Sequence, residues 1–172
     1  EVAIVEHQVG YNCGAHSIAN MLQCGVSNLP YHFRVEDYHN TLDEIENVLK
    51  TMGFDVVAQQ IKSDANNNPI GYIQTPFLNV EGQDEEFEEG VKVNVNVTSP
   101  DFVGIIQHTP NYGGHFFCWI RRGQYLFKIE SLSGSTFGYG TICQYHLSHA
   151  IELINSERPG DTGLPDNILI VK

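Results

Sequence analysis

The stretch "HFFCWIRRGQYLFKIESL", from His115 to Leu132, places two aromatic-rich apolar runs on either side of "RRGQ". Runs of this length and composition are strand signals, and a short glycine-bearing turn between them joins them as an antiparallel hairpin. A hairpin with two apolar arms must bury itself in a larger sheet, and other segments can supply it. "FVGIIQH" (Phe102–His108) and "NILIVK" (Asn167–Lys172) read as strands, as does "FDVVAQQI" (Phe54–Ile61). "VKVNVNV" (Val91–Val97) alternates strictly, as a half-buried strand or hairpin arm does.

Helical periodicity lies elsewhere. From Gly14 to Gln23, Ala15, Ile18, Ala19, Met21 and Leu22 form one broad apolar face. Asn12 is a good N-cap type, and Gly25 can stop the helix. "TLDEIENVLKTMGF" (Thr41–Phe54) repeats the pattern through Leu42, Ile45, Val48, Leu49 and Met52. Thr41 and Glu44 have capping-box spacing, and Gly53 ends the run. "HLSHAIELINSE" (His146–Glu157) is a third helix, while "KSDANNNPIG" (Lys62–Gly71) is loop by composition. Helices lead and strands cluster late, which predicts an α+β fold with the N-terminal helical part packed on an antiparallel sheet.

At 172 residues and 41% hydrophobic content the chain can bury one core, so a single domain over residues 1–172 is expected. Its net charge of −12 disfavours nucleic acid and anionic membranes as partners. "EGQDEEFEEG" (Glu81–Gly90) concentrates part of that charge and reads as a solvated face or as a docking surface for a basic partner. No run of eighteen apolar residues and no charged-then-apolar leader occurs, so neither a membrane span nor a signal peptide is expected. The four cysteines show no paired spacing, which points to a reducing, cytoplasmic setting and gives the "NVT" sequon at Asn96 no meaning.

Cys13 stands where loop gives way to helix. A thiolate is the reactive form of cysteine, and helix N-termini favour it. An isolated cysteine also serves as a small buried hydrophobe, so the surrounding residues decide. Gln8, five residues earlier, has an amide that can join a backbone N–H in holding an oxyanion. His115 opens the first hairpin arm behind Gly113 and Gly114, and Glu130 ends the second. A hairpin can set these two side by side at one end, where the carboxylate would orient the imidazole and stabilise its charged form. Cys13, His115, Glu130 and Gln8 are therefore the candidate catalytic residues. His16 lies one turn beyond Cys13, either supporting the site or on the surface. Cys143, His146 and His149 have metal-ligand residue types, but on a helix they fan over about 120° and lack a fourth partner. No metal and no cofactor are expected, and no nucleotide-binding or serine-hydrolase motif occurs.

These residues resemble the Josephin cysteine proteases, deubiquitinases of the papain-like superfamily. The opening "HQVGYNCGAHSIANMLQ" matches the family pattern at Gln8, Cys13, His16, Asn20, Leu22 and Gln23. "LDEIENVLKTMGFDVV" is similar to its second helical block. "HFFCWIRRGQYLFKIESLSG" is similar to its third, with the same fifteen-residue step from the histidine, and "NILIVK" to its last strand. The resemblance implies a papain-like fold in which Cys13 is the nucleophile, His115 the base and Gln8 the oxyanion donor. The family's third member is Asn or Asp, and Glu130 occupies that position here.

The family's long helical hairpin between its first two helical blocks is missing. The spare length falls instead at residues 66–97, expected to be an inserted acidic and β segment that grips the substrate. The expected reaction is hydrolysis of (iso)peptide bonds at the C-terminus of ubiquitin or polyubiquitin by a monomeric enzyme in the cytoplasm, the host cytosol if the source is a pathogen. Two alternatives stay open: a papain-like peptidase of the double-glycine leader type, and a non-catalytic ubiquitin-binding domain that keeps the fold.

Overall fold

The computed structural model describes residues 2–3, 12–30, 41–58, 60–80, 92–109, 114–130, 142–156 and 167–172. Two helices open it, α1 (Cys13–Leu22) and α2 (Leu42–Thr51). Four strands follow: β1 (Val56–Ala58), β2 (Gln60–Ser63), β3 (Pro69–Asn79) and β4 (Lys92–Asn96). Then come β5 (Gly104–Thr109), β6 (His115–Arg122), β7 (Tyr125–Ile129), β8 (Ile142–His146), α3 (Leu147–Ser156) and β9 (Asn167–Val171). Among the described residues six strands form one antiparallel sheet in the order β1-β9-β5-β6-β7-β8. A second, three-stranded sheet runs β2-β3-β4. The architecture is α+β with a mostly antiparallel sheet, as the segment order predicts.

The hairpin forms as read. Arg122 pairs with Tyr125 across a two-residue turn, and Gly123 takes the positive φ of 61° that such turns require. The pleat then sorts side chains between two cores. Phe116, Cys118 and Ile120 face one core with Ile106, Ile129, Leu169 and Val171, against Ala15, Ile18 and Ala19 of α1 and Ile45, Val48 and Leu49 of α2. Phe117 and Trp119 face the other with Ile105, Leu126, Ile168 and Ile170, against Leu147, Ala150 and Ile154 of α3 and Leu78 and Val95 of the second sheet. The sheet is thus covered on both faces. The continuous apolar run in β9 follows from this, since Ile168 to Val171 are all buried.

Gly104 seats α1. A Cβ there would stand 2.6 Å from the Trp119 carbonyl oxygen and 2.7 Å from the Met21 side chain. Only a residue without a side chain lets the C-terminal half of α1 lie this close to β5. Helix α2 has the capping box that its sequence predicts: Thr41 Oγ1 accepts from the Glu44 N–H, and Glu44 Oε1 accepts from the Thr41 N–H.

Several readings need correction. "FDVVAQQI" is not one strand, because β1 joins the large sheet and β2 the small one. The loop read over Lys62–Gly71 shrinks to a turn around Asp64, whose carboxylate accepts from the Asn66 and Asn68 N–H groups. Pro69 to Gly71 already belong to the eleven-residue β3, which composition did not reveal. β4 alternates as expected but pairs parallel to β3, so it is no hairpin arm. Helix α1 ends at Gln23, in the left-handed region at φ 54°, before Gly25 is reached. Gln23 compensates with its side chain: Nε2 donates to the Asn20 and Ala3 carbonyls, and Oε1 accepts from the Ala3 N–H. The acidic run at Glu81–Gly90 lies outside the described residues; the rest of the expected insert contributes β3 and β4.

Candidate active site

Cys13 is the first residue of α1, at the helix end where N–H groups lack intrahelical partners. Ser17, one turn on, donates its hydroxyl to the Cys13 carbonyl at 2.7 Å and holds that end of the helix to a fixed geometry. Asn12 occupies the N-cap position but makes no side-chain cap, contrary to the expectation from its residue type.

The imidazole arrives from the sheet. Gly114, at φ +93°, turns the chain into β6 so that His115 is its first residue. Cys118 pairs with Ile129, so Glu130 stands opposite Phe117, and His115 is two residues from Phe117 on the same face. His115 and Glu130 are thus diagonal neighbours, the spacing that long side chains bridge. His115 Nε2 lies 2.5 Å from Glu130 Oε2. A carboxylate only accepts, so Nε2 carries the hydrogen. The His115 ring also stacks on Phe117, with ring centres 6.2 Å apart.

The third member closes the set: His115 is hydrogen-bonded to the Cys13 thiol as well. With Nε2 committed to Glu130, Nδ1 is the nitrogen left for sulfur. Burial pushes the imidazole toward its neutral form, but the hydrogen bonds to Cys13 and Glu130 and the charges of both outweigh it. The pKa rises from 6.5 to about 9. The imidazole is therefore an imidazolium at neutral pH, next to the Cys13 sulfur. Cys13 and His115 are 9% and 5% exposed, so this contact is largely shielded from water. Cys118 is the contrast. It is fully buried, burial and the nearby Glu130 charge push its thiol far up, and it stays a protonated filler of the core.

The structure therefore brings together Cys13, His115 and Glu130, while Gln8 and its neighbour His7 lie outside the described residues. His16 is buried rather than on the surface, and its N–H donates to the Asn12 carbonyl. Cys143 and His146 are on β8 and His149 on α3, so they do not share the helix they were read onto. Their imidazoles are engaged locally, His146 with the Ser148 hydroxyl at 3.0 Å and His149 edge-on to Tyr145.

Sequence reasoning missed His108. It lies on β5 opposite Phe116, their ring centres 4.5 Å apart. Burial, then the charge on His115, depress its pKa, so it is the neutral histidine of the neighbourhood. A Cβ at Gly114 would meet its Nε2 at 3.3 Å. The only signal was a histidine closing the run "FVGIIQH", seven residues before His115.

The chain matches no protein-family model, and no characterised protein matches it in sequence.

Proposed function

We propose that this chain is a papain-like cysteine peptidase of Josephin type that hydrolyses (iso)peptide bonds at the C-terminus of ubiquitin. One observation carries the reading: a cysteine at a helix N-terminus, a histidine hydrogen-bonded to it, and a carboxylate on the far nitrogen of that histidine. This is the nucleophile, base and orienter that acyl transfer through a thiol requires.

In the proposed reaction the Cys13 sulfur, its proton held by His115, attacks the scissile carbonyl carbon. The developing oxyanion takes hydrogen bonds from the Cys13 backbone N–H and from Gln8. His115 gives its proton to the leaving amine, which departs as the C–N bond breaks. His115 then takes a proton from water, hydroxide adds to the thioester, and the freed carboxylate leaves Cys13 as it began. Glu130 keeps the imidazole oriented throughout. Ubiquitin as the substrate rests on the resemblance of the three sequence blocks, and its grip is assigned to the β3–β4 region with the acidic run between those strands.

A ubiquitin carrying a C-terminal thiol-reactive electrophile tests this directly. Wild-type protein should form a covalent adduct mapped to Cys13, absent in Cys13→Ala and His115→Ala. Ubiquitin binding without adduct would replace the reading by a non-catalytic binder. Cleavage of a double-glycine leader peptide, with ubiquitin left untouched, would move the substrate to the other peptidase class.

A further inference from the structure

Two diagonals cross the β6–β7 hairpin in the same sense. Glu130 reaches past Phe117 to His115, and Lys128 reaches past Trp119 to Phe117. Lys128 Nζ stands over the Phe117 ring, 4.5 Å from its centre. Trp119 is turned elsewhere, its indole N–H donating to Gln107 Oε1 and its ring packed on Tyr145. The buried Phe117 ring therefore has two cationic neighbours, that ammonium and the His115 imidazole, whose plane lies 29° from its own. An aromatic face attracts cations, and an offset stack also favours one relative orientation of the two rings.

The imidazole plane needs holding. Histidine turns about its Cβ–Cγ bond over a broad range, so its neighbours decide where Nδ1 points. Before reaction Cys13 and Glu130 each hold His115 by a hydrogen bond. In the proposed reaction, acylation makes the Cys13 sulfur part of a neutral thioester. One of the two holds is then lost, at the stage where His115 must take a proton from water. We infer that Phe117 is a positioning residue for this second half of the reaction: its ring keeps the imidazole in place once Cys13 is acylated. The inference rests on the proposed role of Cys13 in acyl transfer, and it does not depend on ubiquitin. Glu130 then fixes one edge of the imidazole and Phe117 its plane, and the Phe117 ring also favours the imidazolium that forms.

The p-nitrophenyl ester of N-acetylglycine separates the two halves. The Cys13 sulfur, its proton held by His115, adds to the carbonyl and the Sγ–C bond forms. The ester C–O bond breaks, nitrophenolate leaves, and the His115 proton passes to buffer. Water then gives a proton to His115, and its hydroxide adds to the thioester. The Sγ–C bond breaks, and N-acetylglycine departs as the carboxylate, its own proton passing to buffer. Steady nitrophenolate release and the acylated fraction of Cys13, read by quenched intact mass, together give both rate constants, with Cys13→Ala as the blank. Phe117→Leu should slow deacylation about three- to tenfold, the scale of one aromatic pair, with acylation within about twofold of wild type. Phe117→Tyr, which keeps the ring, should deacylate like wild type. A further measurement needs no variant to fold. In wild type alkylated at Cys13 with iodoacetamide, the nuclear Overhauser contacts between the His115 and Phe117 ring protons should persist.

Deacylation that is unchanged in Phe117→Leu, or slowed no more than acylation, overturns the inference and leaves the peptidase reading in place. So does a Tyr variant as slow as the Leu variant, or ring contacts that vanish on alkylation. A wild type that gains no acyl mass at Cys13 sinks the peptidase reading together with this one. If the deacylation defect holds while the ubiquitin electrophile fails to label, ubiquitin is the wrong substrate and the role of Phe117 stands.

Discussion

Glu130→Gln isolates the charge on the orienting residue, because Gln can still accept from His115 Nε2 while bearing no charge. The imidazole pKa moves from 6.5 to about 9, and that interval corresponds to about 3 kcal/mol in favour of the imidazolium. Both side chains are largely shielded, 6% and 15% exposed, so solvent screening removes little of this. Cys13 and Glu130 share the effect against burial. An opposite charge at this range moves a pKa by roughly 1–3, so the variant should lose its imidazolium near pH 8 or below.

The readout is the ring resonances of His115 by NMR from pH 5 to 10. In wild type the ring should titrate near pH 9, and in Glu130→Gln at least one pH unit lower. Stability must move with it. A pKa raised by folding contributes stability that is complete below the unfolded value of 6.5 and is lost as pH rises through about 9. The variant should therefore be less stable than wild type by about 1–2 kcal/mol near pH 6, and the gap should close toward pH 9–10. A His115 titration that stays in place in Glu130→Gln would refute the reasoning. It would mean that Cys13 alone sustains the charged imidazole and that Glu130 acts only as an acceptor.

Other outcomes are expected. Gln8→Ala should lower turnover of a ubiquitin C-terminal aminocoumarin amide by about 10²–10³ with little change in Cys13 alkylation, because an oxyanion donor acts only during reaction. Cys118→Ala should leave Cys13 adduct formation intact and cost about 1–3 kcal/mol in denaturant unfolding, since it only opens a small void. Gly104→Ala should cost about 1–3 kcal/mol or more, because its Cβ meets a backbone oxygen that cannot swing aside, and it should slow Cys13 modification by shifting α1. Thr41→Ala should cost about 1 kcal/mol in unfolding with no effect at Cys13, as expected for a cap on a helix whose role is packing.

What was legible in the sequence was local or periodic. The β6–β7 hairpin, the α2 capping box and β9 each announce themselves within a dozen residues, and all three form. The pairing of His115 with Glu130 was legible because a hairpin converts a fifteen-residue step into a diagonal cross-strand contact. The β1–β2 division was not, since the apolar run is continuous while its two halves pair in different sheets. β3 was hidden by Pro69, Gly71 and Pro76, which read as breakers but sit in a strand of the smaller sheet. β8 was hidden because it is an edge strand with mixed exposure and no clean alternation of residue type. His108 and the uncapped carboxamide of Asn12 are tertiary facts. The first depends on the register of β5 with β6, and the second on one backbone angle.

The place of β9 has a consequence for when Cys13 and His115 come together during synthesis. Residues 167–171 form an interior strand between β1 and β5, and Leu169 and Val171 fill the core that seats α1. Cys13 is synthesised more than 150 residues earlier and must wait for that strand. Contacts so distant in the chain close late, because loop entropy must first be overcome. A nascent chain therefore carries its cysteine well before the imidazole beside it is held in place. On the proposed role of Cys13, the geometry of the site is thus complete only once β9 has joined the sheet.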